Sequence, residues 1–419
     1  MRGGSARRIA VALVGGGTAI ALAAVACGSP YDAGTVALED AASDAAADVS
    51  PDAAAPVDPC AHARPPAMPD VDDAPASELP PFYIAVREMR FASEAAVAGG
   101  FDLDGVCTCD ARSGTARDGG ASCGRADNAR CDQPNGVDNV FATLARQASA
   151  VTPLDEPPNA LIAAGRRTML LQISKYNGRR NDKEVAIGLA LSDGIRRPGC
   201  PGSVHNQAKD VWSPGWCGDD EWSLRAQSVV ANTGAPLLQT TGYVRDGRLA
   251  FEMPTLVLPF TEDATLELGD AVFAGKLTPL AADLAPRDFD APRSDREQRL
   301  FALDDAILGG RFRATTLLAA LGAVEQPTEN GEPRFLCESS YFPVVRQTIC
   351  GGRDIARSSR FDFEPNLACD ALSAAVSFRA FPVLAGEVRE SVTRANPCLA
   401  GNDGQPPDSG ANDKPYVCD

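Results

Sequence analysis

Thirteen cysteines behind an export signal constrain this chain's fold more than any other feature of its sequence. Arg2, Arg7 and Arg8 make a positive start, and Ile9–Ala26 is an apolar run without charge, the pattern of a secretory signal. Thiols delivered outside the cytosol oxidise. With Cys27 set aside at the end of the signal, twelve remain: Cys60, Cys107, Cys109, Cys123, Cys131, Cys200, Cys217, Cys337, Cys350, Cys369, Cys398 and Cys418. That even number suits up to six disulfides, whose connectivity the sequence does not fix. Cys107, Cys109, Cys123 and Cys131 share one Gly/Asp-rich stretch and are expected to pair locally or with Cys60. Cys200 with Cys217, and Cys337 with Cys350, would each close a short loop, worth about 3 kcal/mol per bridge. A zinc site is the competing reading, but C-x-C-x13-C-x7-C is not a zinc spacing. Only His62 and His205 are present, so a His-rich metal centre is excluded.

The signal ends in Ala24-Val25-Ala26-Cys27, which resembles the lipobox of bacterial lipoproteins, in which the Cys is acylated and becomes the first mature residue. A plain cleaved signal peptide is the alternative. The sequence therefore predicts a lipid anchor at Cys27, palmitate or a related acyl chain, and a protein held at the cell envelope, on the outer membrane or the periplasmic face. Loss of the three signal arginines takes the formal charge from -17 to -20. A chain this acidic has no attraction for phosphate backbones, so nucleic-acid partners are not expected. Residues 28–80 space Asp32, Glu39, Asp40, Asp44, Asp48, Asp52 and Asp58 among Ala and Pro, a composition that cannot offset its ordering entropy. It reads as a disordered tether, either a stalk lifting the body off a membrane or a plain spacer. The body is expected at 81–398, with a Cys/Asp-rich part at 81–150 and a sheet core at 160–398, followed by a tail at 399–419. At 44% hydrophobic residues the body can bury a core.

Strand signals dominate that body. Phe82–Phe91 places Phe82, Ile84 and Val86 on one face, Thr168–Tyr176 and Glu184–Leu191 read as a pair, and Val185, Ile187, Leu189 and Leu191 alternate strictly. Asp246-Gly247 sits mid-way through Gly242–Met253 as a two-residue hairpin turn, and Thr255–Phe260 follows between Pro254 and Pro259. A second hairpin is expected around Gly269-Asp270, joining Thr265–Leu268 to Ala271–Leu277, and Ala374–Phe381 is a late strand. Helices are predicted over 136–148, over 159–164 and over Thr315–Leu321, the last capped by Thr315 and stopped at Gly322. Serial hairpins build antiparallel sheet. The predicted fold is mainly β, an antiparallel β-sandwich-like body with a few short helices, stabilised by disulfides.

Two groups of residues point to chemistry. Asp102 and Asp104 lie two apart, so an extended backbone puts both carboxylates on one face, and Gly105 permits a sharp turn. Asp132, Asn135, Asp138 and Asn139 form a second oxygen-rich group that cysteine bridges could bring near. Ca2+ takes six to eight oxygens, so these residues are candidate Ca2+ ligands, although Cys107 and Ser113 occupy the EF-hand positions that require Gly and Glu. The competing reading is a solvated loop whose Asp and Asn make turns. Trp212, Trp216 and Trp222 are the only tryptophans and stand beside Asp219, Asp220 and Glu221. They read either as a glycan-binding platform, as the acids of a carbohydrate-active hydrolase, or as rings packed over the Cys200–Cys217 loop, with packing favoured. Gly120-Ala121-Ser122-Cys123-Gly124 spells a nucleophile elbow, but it falls in a Cys/Gly loop with only His205 downstream.

The order of the segments Gly100–Gly105 (GFDLDG), Gly136–Asn139 (GVDN) and Cys369–Ser373 (CDALS), behind an Asp/Ala-rich leader, resembles uncharacterised secreted Cys-rich lipoproteins of myxobacteria. The resemblance spans most of 81–385 and implies an exported location and one body. The group has no established activity, so no catalytic residue follows from it. The functional expectation is a membrane-tethered, non-enzymatic binding or structural module, partnered by the membrane through its lipid and by a glycan or envelope protein. A carbohydrate-active hydrolase is the alternative.

Overall fold

In the computed structural model, the described residues are 62–73, 77–91, 99–108, 122–124, 131–148, 154–262, 264–326, 334–364, 366–391 and 416–418. All belong to one compact unit, Val57–Asp419. The strands, in chain order, are β1 (Phe82–Arg90), β2 (Thr168–Ser174), β3 (Asp182–Ser192), β4 (Ile195–Arg197), β5 (His205–Asn206), β6 (Val211–Trp212), β7 (Glu221–Arg225), β8 (Leu238–Arg245), β9 (Arg248–Pro259), β10 (Thr265–Pro279), β11 (Phe301–Arg313), β12 (Glu325–Gln326), β13 (Arg334–Phe335) and β14 (Ala371–Arg389). The described α-helices are α1 (Val140–Ala148), α2 (Glu156–Ala163), α3 (Ala314–Gly322) and α4 (Phe342–Gly351).

Eight strands pair antiparallel in the order β1-β2-β3-β8-β9-β10-β11-β14, and β14 pairs again with β1. That last pairing closes the sheet, so the body is an up-and-down barrel where the sequence pattern suggested a sandwich. Alternating strands with one buried face serve either architecture. What decides is whether the last strand finds the first, and strand periodicity does not encode that. β14 finds it through its length. Its first half pairs with β11, Phe378 to Val383 continue along β1, and Leu384 to Arg389 leave the barrel to pair parallel with β7.

The β8–β9 hairpin turns at Asp246-Gly247 as expected, with both residues at positive φ (50° and 76°), the pair of conformations a two-residue turn between twisted strands requires. The hairpin expected at Gly269-Asp270 does not exist, because β10 runs unbroken through it. Asp270 instead takes φ 45° opposite Pro254, and the register with β11 slips there. Pro254 donates no hydrogen bond, and β8 has already left the side of β9 at Phe251, so the proline is accommodated inside β9 instead of ending it. α3 begins at Ala314 with no side-chain cap, so Thr315 lies inside its first turn and is not its N-cap.

The barrel interior is filled. Phe82 stacks on Phe301 at 4.9 Å, Phe251 on Phe273 at 4.5 Å, and Phe141 of α1 meets Phe312 at 4.9 Å near the end where Phe91 and Phe260 also gather. These rings, with Val185, Ile187, Leu189 and Leu191, form one buried cluster. An eight-stranded barrel is just wide enough for its own side chains to occupy the lumen. A second, smaller core lies outside it. There β4 and β7 cover the outer faces of β1–β3, and Trp222 packs with Leu170 over the small side chains of Ala85 and Ala190. Gly165 has φ 64°, and a Cβ there would stand 1.8 Å from the Trp212 carbonyl oxygen, so a side chain at 165 would push this layer away.

Three bridges are resolved: Cys200–Cys217, Cys123–Cys369 and Cys350–Cys418. Cys107, Cys131 and Cys337 are disulfide-bonded as well. The Cys200–Cys217 loop is the one expected. The other two correct the local scheme: Cys123 reaches 246 residues to the start of β14, and Cys350 takes Cys418 in place of Cys337. Nearness in sequence is a poor guide once a barrel brings distant strands side by side. Cys27, Cys60, Cys109 and Cys398 lie outside the described residues, as do the signal and most of the proposed tether.

The tether's expected end at 80 is also corrected. Within 62–80, Asp72 and Asp73 accept from the backbone N–H groups of Lys183 and Asn181, the Leu79 N–H donates to the Tyr176 carbonyl, and Tyr243 Oη donates to the Pro66 carbonyl. This strap is held mainly by hydrogen bonds to the barrel, with little apolar burial beyond Leu79 and Pro69, so its hydropathy reads as disorder. The tail is corrected in the same way. Tyr416 is buried against Phe342 of α4.

Candidate functional site

The Asp-rich N-terminal segments pack on the outside of the barrel, over β11 and β14. Alternation along β11 sends Leu308 and Phe312 inward, so Gly309 and Arg311 face out, and the Phe101 ring lies against Gly309, where a Cβ would stand 2.8 Å from it. The Asp138 N–H donates to the Phe101 carbonyl at 3.0 Å, and Asp138 Oδ2 accepts from the Leu103 N–H at 2.7 Å. These two bonds zip the two Asp-bearing segments together. As a result Asp102, Asp104 and Asp138 each offer a carboxylate oxygen within 4.8 Å of the others.

Asp104 and Asp138 are buried, and their surroundings oppose charge. Burial pushes the Asp138 carboxyl well above the usual range, with the charges of Asp104, Asp132 and Asp354 adding to it and the Leu103 N–H opposing. Asp104 is raised by the same cause, burial first, with hydrogen bonds from Ser122 and the Val106 N–H acting against it. Asp102 binds the His62 ring through Oδ2 and caps the turn at Gly105 through Oδ1. Adjacent carboxylates in a low-dielectric site have two ways to relieve their repulsion, a shared proton or a bound cation.

Of the six oxygen ligands expected from sequence, three converge, one stands near and two do other work. Asp132 lies close enough to act on Asp138 and accepts from the Thr108 N–H at 2.5 Å. Asn139 is the N-cap of α1: its Oδ1 accepts from the Ala142 N–H at 3.2 Å and from the Ala375 N–H of β14 at 2.9 Å. Asn135 is exposed in a left-handed turn (φ 68°) and contributes its backbone carbonyl to the Ala63 N–H. Neither side chain belongs to the cluster.

Sequence reasoning missed the floor of the site. Arg311 is buried, and its guanidinium donates to both oxygens of Asp362 (2.7 and 2.6 Å) and to the carbonyls of Leu103 (2.7 Å) and Ala356 (2.8 Å). It clamps the Asp102–Asp104 turn to the 354–362 loop. Asp354 is buried too, and its carboxylate takes the Ser373 N–H (2.8 Å) and hydroxyl (2.5 Å). The alternation of β11 marks Arg311 as outward, which in sequence reads as solvent-facing. A cleft of about 450 Å3 opens beside the cluster, lined by Arg64, Phe101, Asp102, Glu252 and Asp270 among others.

The tryptophan group does not form a platform. Trp222 is fully buried in the outer core, Trp216 leans on it at 6.0 Å and carries the Arg87 guanidinium at 5.6 Å, and Trp212 is stacked on His205 at 4.5 Å. The acids are engaged as well. Arg296 and Arg299 hold Asp219 at 2.7 and 2.6 Å, Asp220 is buried and accepts from the Trp216 N–H at 2.7 Å, and Glu221 lies in β7 with Arg197 at 4.0 Å. Burial raises the Asp220 carboxyl. Packing engages Trp216, Trp222 and Asp220, and ion pairs engage Asp219 and Glu221. Cys123 of the elbow-like motif is in a disulfide, and Ser122 is buried.

Among the described residues no helix is long and apolar enough to cross a membrane. Compared with known proteins, the chain matches no family model, no curated protein and no solved structure.

Proposed function

We propose that this chain is an exported, lipid-tethered module of the cell envelope that binds or supports without catalysing, with Ca2+ seated in the Asp102/Asp104/Asp138 cluster. The convergence of those three carboxylates within 4.8 Å is the observation that carries the reading. The donor set is all oxygen and anionic, with Asp132 adjacent, which suits a hard cation better than a thiophilic metal. Bound there, the ion would neutralise the buried carboxylates and lock the Asp-rich segments onto β11 and β14. The filled lumen favours a scaffold role for the barrel, with recognition left to its outer surfaces. The signal, the Cys27 lipobox and the resemblance to myxobacterial secreted lipoproteins support the envelope location.

Thermal melting of the oxidised protein tests the cation. Ca2+ at a hundredfold excess over its Kd should stabilise the wild type by about 2.7 kcal/mol relative to chelator. Asp138→Asn should lose that difference. Identical melts of the wild type in Ca2+ and in chelator would reject the site.

A further inference from the structure

Five separate segments gather cationic side chains around one cleft of about 360 Å3. Arg166, Arg167, Arg196, Lys209, Arg225 and Arg389 line it, against the carboxylates of Asp193, Glu262 and Glu390. That excess is unexpected in a chain of net charge -17. Part of it is internally matched, since Arg166 and Lys209 both pair with Glu262, and Arg167 donates to the Thr261 and Glu262 carbonyls.

The remaining three guanidiniums each pair with one carboxylate, Arg225 with Asp193, Arg196 with Asp210 and Arg389 with Glu387, but none spends all of its donors. Arg225 is buried and uses Nε on Asp193 (3.2 Å) and on the Ser391 hydroxyl (2.6 Å), which leaves both terminal nitrogens without a partner among the described residues. Arg389 likewise spends only Nε, on Glu387 at 2.7 Å. Arg196 gives one terminal nitrogen to Asp210, and its Nε is buried with no partner among the described residues. Arg389 lies near enough to Arg196 for the two charges to repel, and with burial this lowers the Arg196 pKa. Holding like charges together around a cavity with donors unspent costs free energy in the empty state, and an anion in the cleft would recover it.

We propose that this cleft is an anion site for a phosphate group, gripped by Arg196, Arg225 and Arg389. The guanidinium fork matches phosphate oxygens in pairs, and a tetrahedral oxyanion offers more acceptors to the unspent terminal nitrogens than a single carboxylate. β7 and β14, paired in parallel, set Arg225 and Arg389 opposite each other, and β4 supplies Arg196, so all three stand on strands of the side sheet. The proposal is independent of the Ca2+ reading, because no residue is shared.

Isothermal titration of the full chain with inorganic phosphate, at ionic strength matched with sodium chloride, is the test. Saturable binding should weaken at least tenfold in Arg389→Ala and in Arg196→Gln, and partly recover in Arg389→Lys, which keeps the charge without the fork. Arg389 sits at the exposed end of β14, so its variants should keep the wild-type melt in chloride. Cosedimentation of the Cys27→Ser chain, which carries no lipid anchor of its own, with phosphatidylglycerol vesicles separates the sources of the group. Retention lost in Arg389→Ala assigns a lipid headgroup, and phosphate binding without retention assigns a free phosphate. Absence of saturable binding to the wild type, or equal affinity in wild type and both arginine variants, would overturn the proposal.

Discussion

Arg311→Met puts the floor of the candidate site under direct load. Methionine keeps the unbranched length and drops the charge, so the lesion is confined to what the guanidinium does. Four hydrogen bonds disappear, and three groups lose their partner inside the protein: the Asp362 carboxylate and the carbonyls of Leu103 and Ala356. Removing one member of a buried pair costs about 3–5 kcal/mol, most of it the penalty of the charge left behind. With a urea m-value of about 3 kcal/mol/M, the unfolding midpoint of the oxidised protein should fall by about 1–1.7 M. Arg311→Met/Asp362→Leu should regain much of the loss, since the charge stranded at Asp362 is then gone, and the pair should show a coupling of about 2–3 kcal/mol in the double-mutant cycle. The single variant should also recover as pH falls. Burial already raises the Asp362 carboxyl, with Arg311 opposing. Without Arg311 it rises further, and protonation removes the stranded charge. A midpoint shift below about 0.3 M, or a double variant as unstable as the sum of the singles, would refute the view that Arg311 clamps these loops by charge.

Two further expectations concern pH and the anchor. Because burial raises the carboxyls of Asp104 and Asp138 in the folded protein, their stabilising contribution is complete below the ordinary carboxylate range and is lost as pH rises through the folded values. Chelated wild type should therefore gain stability over Asp138→Asn as pH is lowered from neutral, Ca2+ should help most at high pH, and parallel pH profiles for the two proteins would contradict the assignment. Cys27→Ser should move from the membrane fraction to the soluble fraction, and retention of that variant on membranes would count against a lipid anchor at this residue.

Much of the local structure is legible in the sequence because it is set by periods and turns. The alternation in β3 and the positive-φ pair at Asp246-Gly247 act over a few residues, and the barrel keeps both. The two errors near Pro254 and Gly269-Asp270 have one cause. A proline and a Gly-Asp pair usually end strands, but here they face each other across β9 and β10, where β8 has already left β9 and the β10–β11 register slips. Of the oxygen-rich groups, Asp102 and Asp104 were legible because a spacing of two puts both carboxylates on one face of an extended backbone, whereas Asp138 was legible only as part of a second Asp/Asn group. Asn139 was not, since the same amide that could bind a cation also caps a helix, and only the position of α1 decides between them.

By itself the sequence determines the reliance on cystine, the β-rich character and the presence of two carboxylate-bearing segments, because composition and short-range pattern carry each of these. Closure of the sheet was decided only in three dimensions, by β14 being long enough to serve β11, β1 and β7 in turn. The same holds for the bridge from Cys123 to Cys369, the burial of Arg311 and the gathering of Arg196, Arg225 and Arg389. Each joins residues far apart in the chain, and the free energy of such a contact depends on what the rest of the fold has already brought alongside.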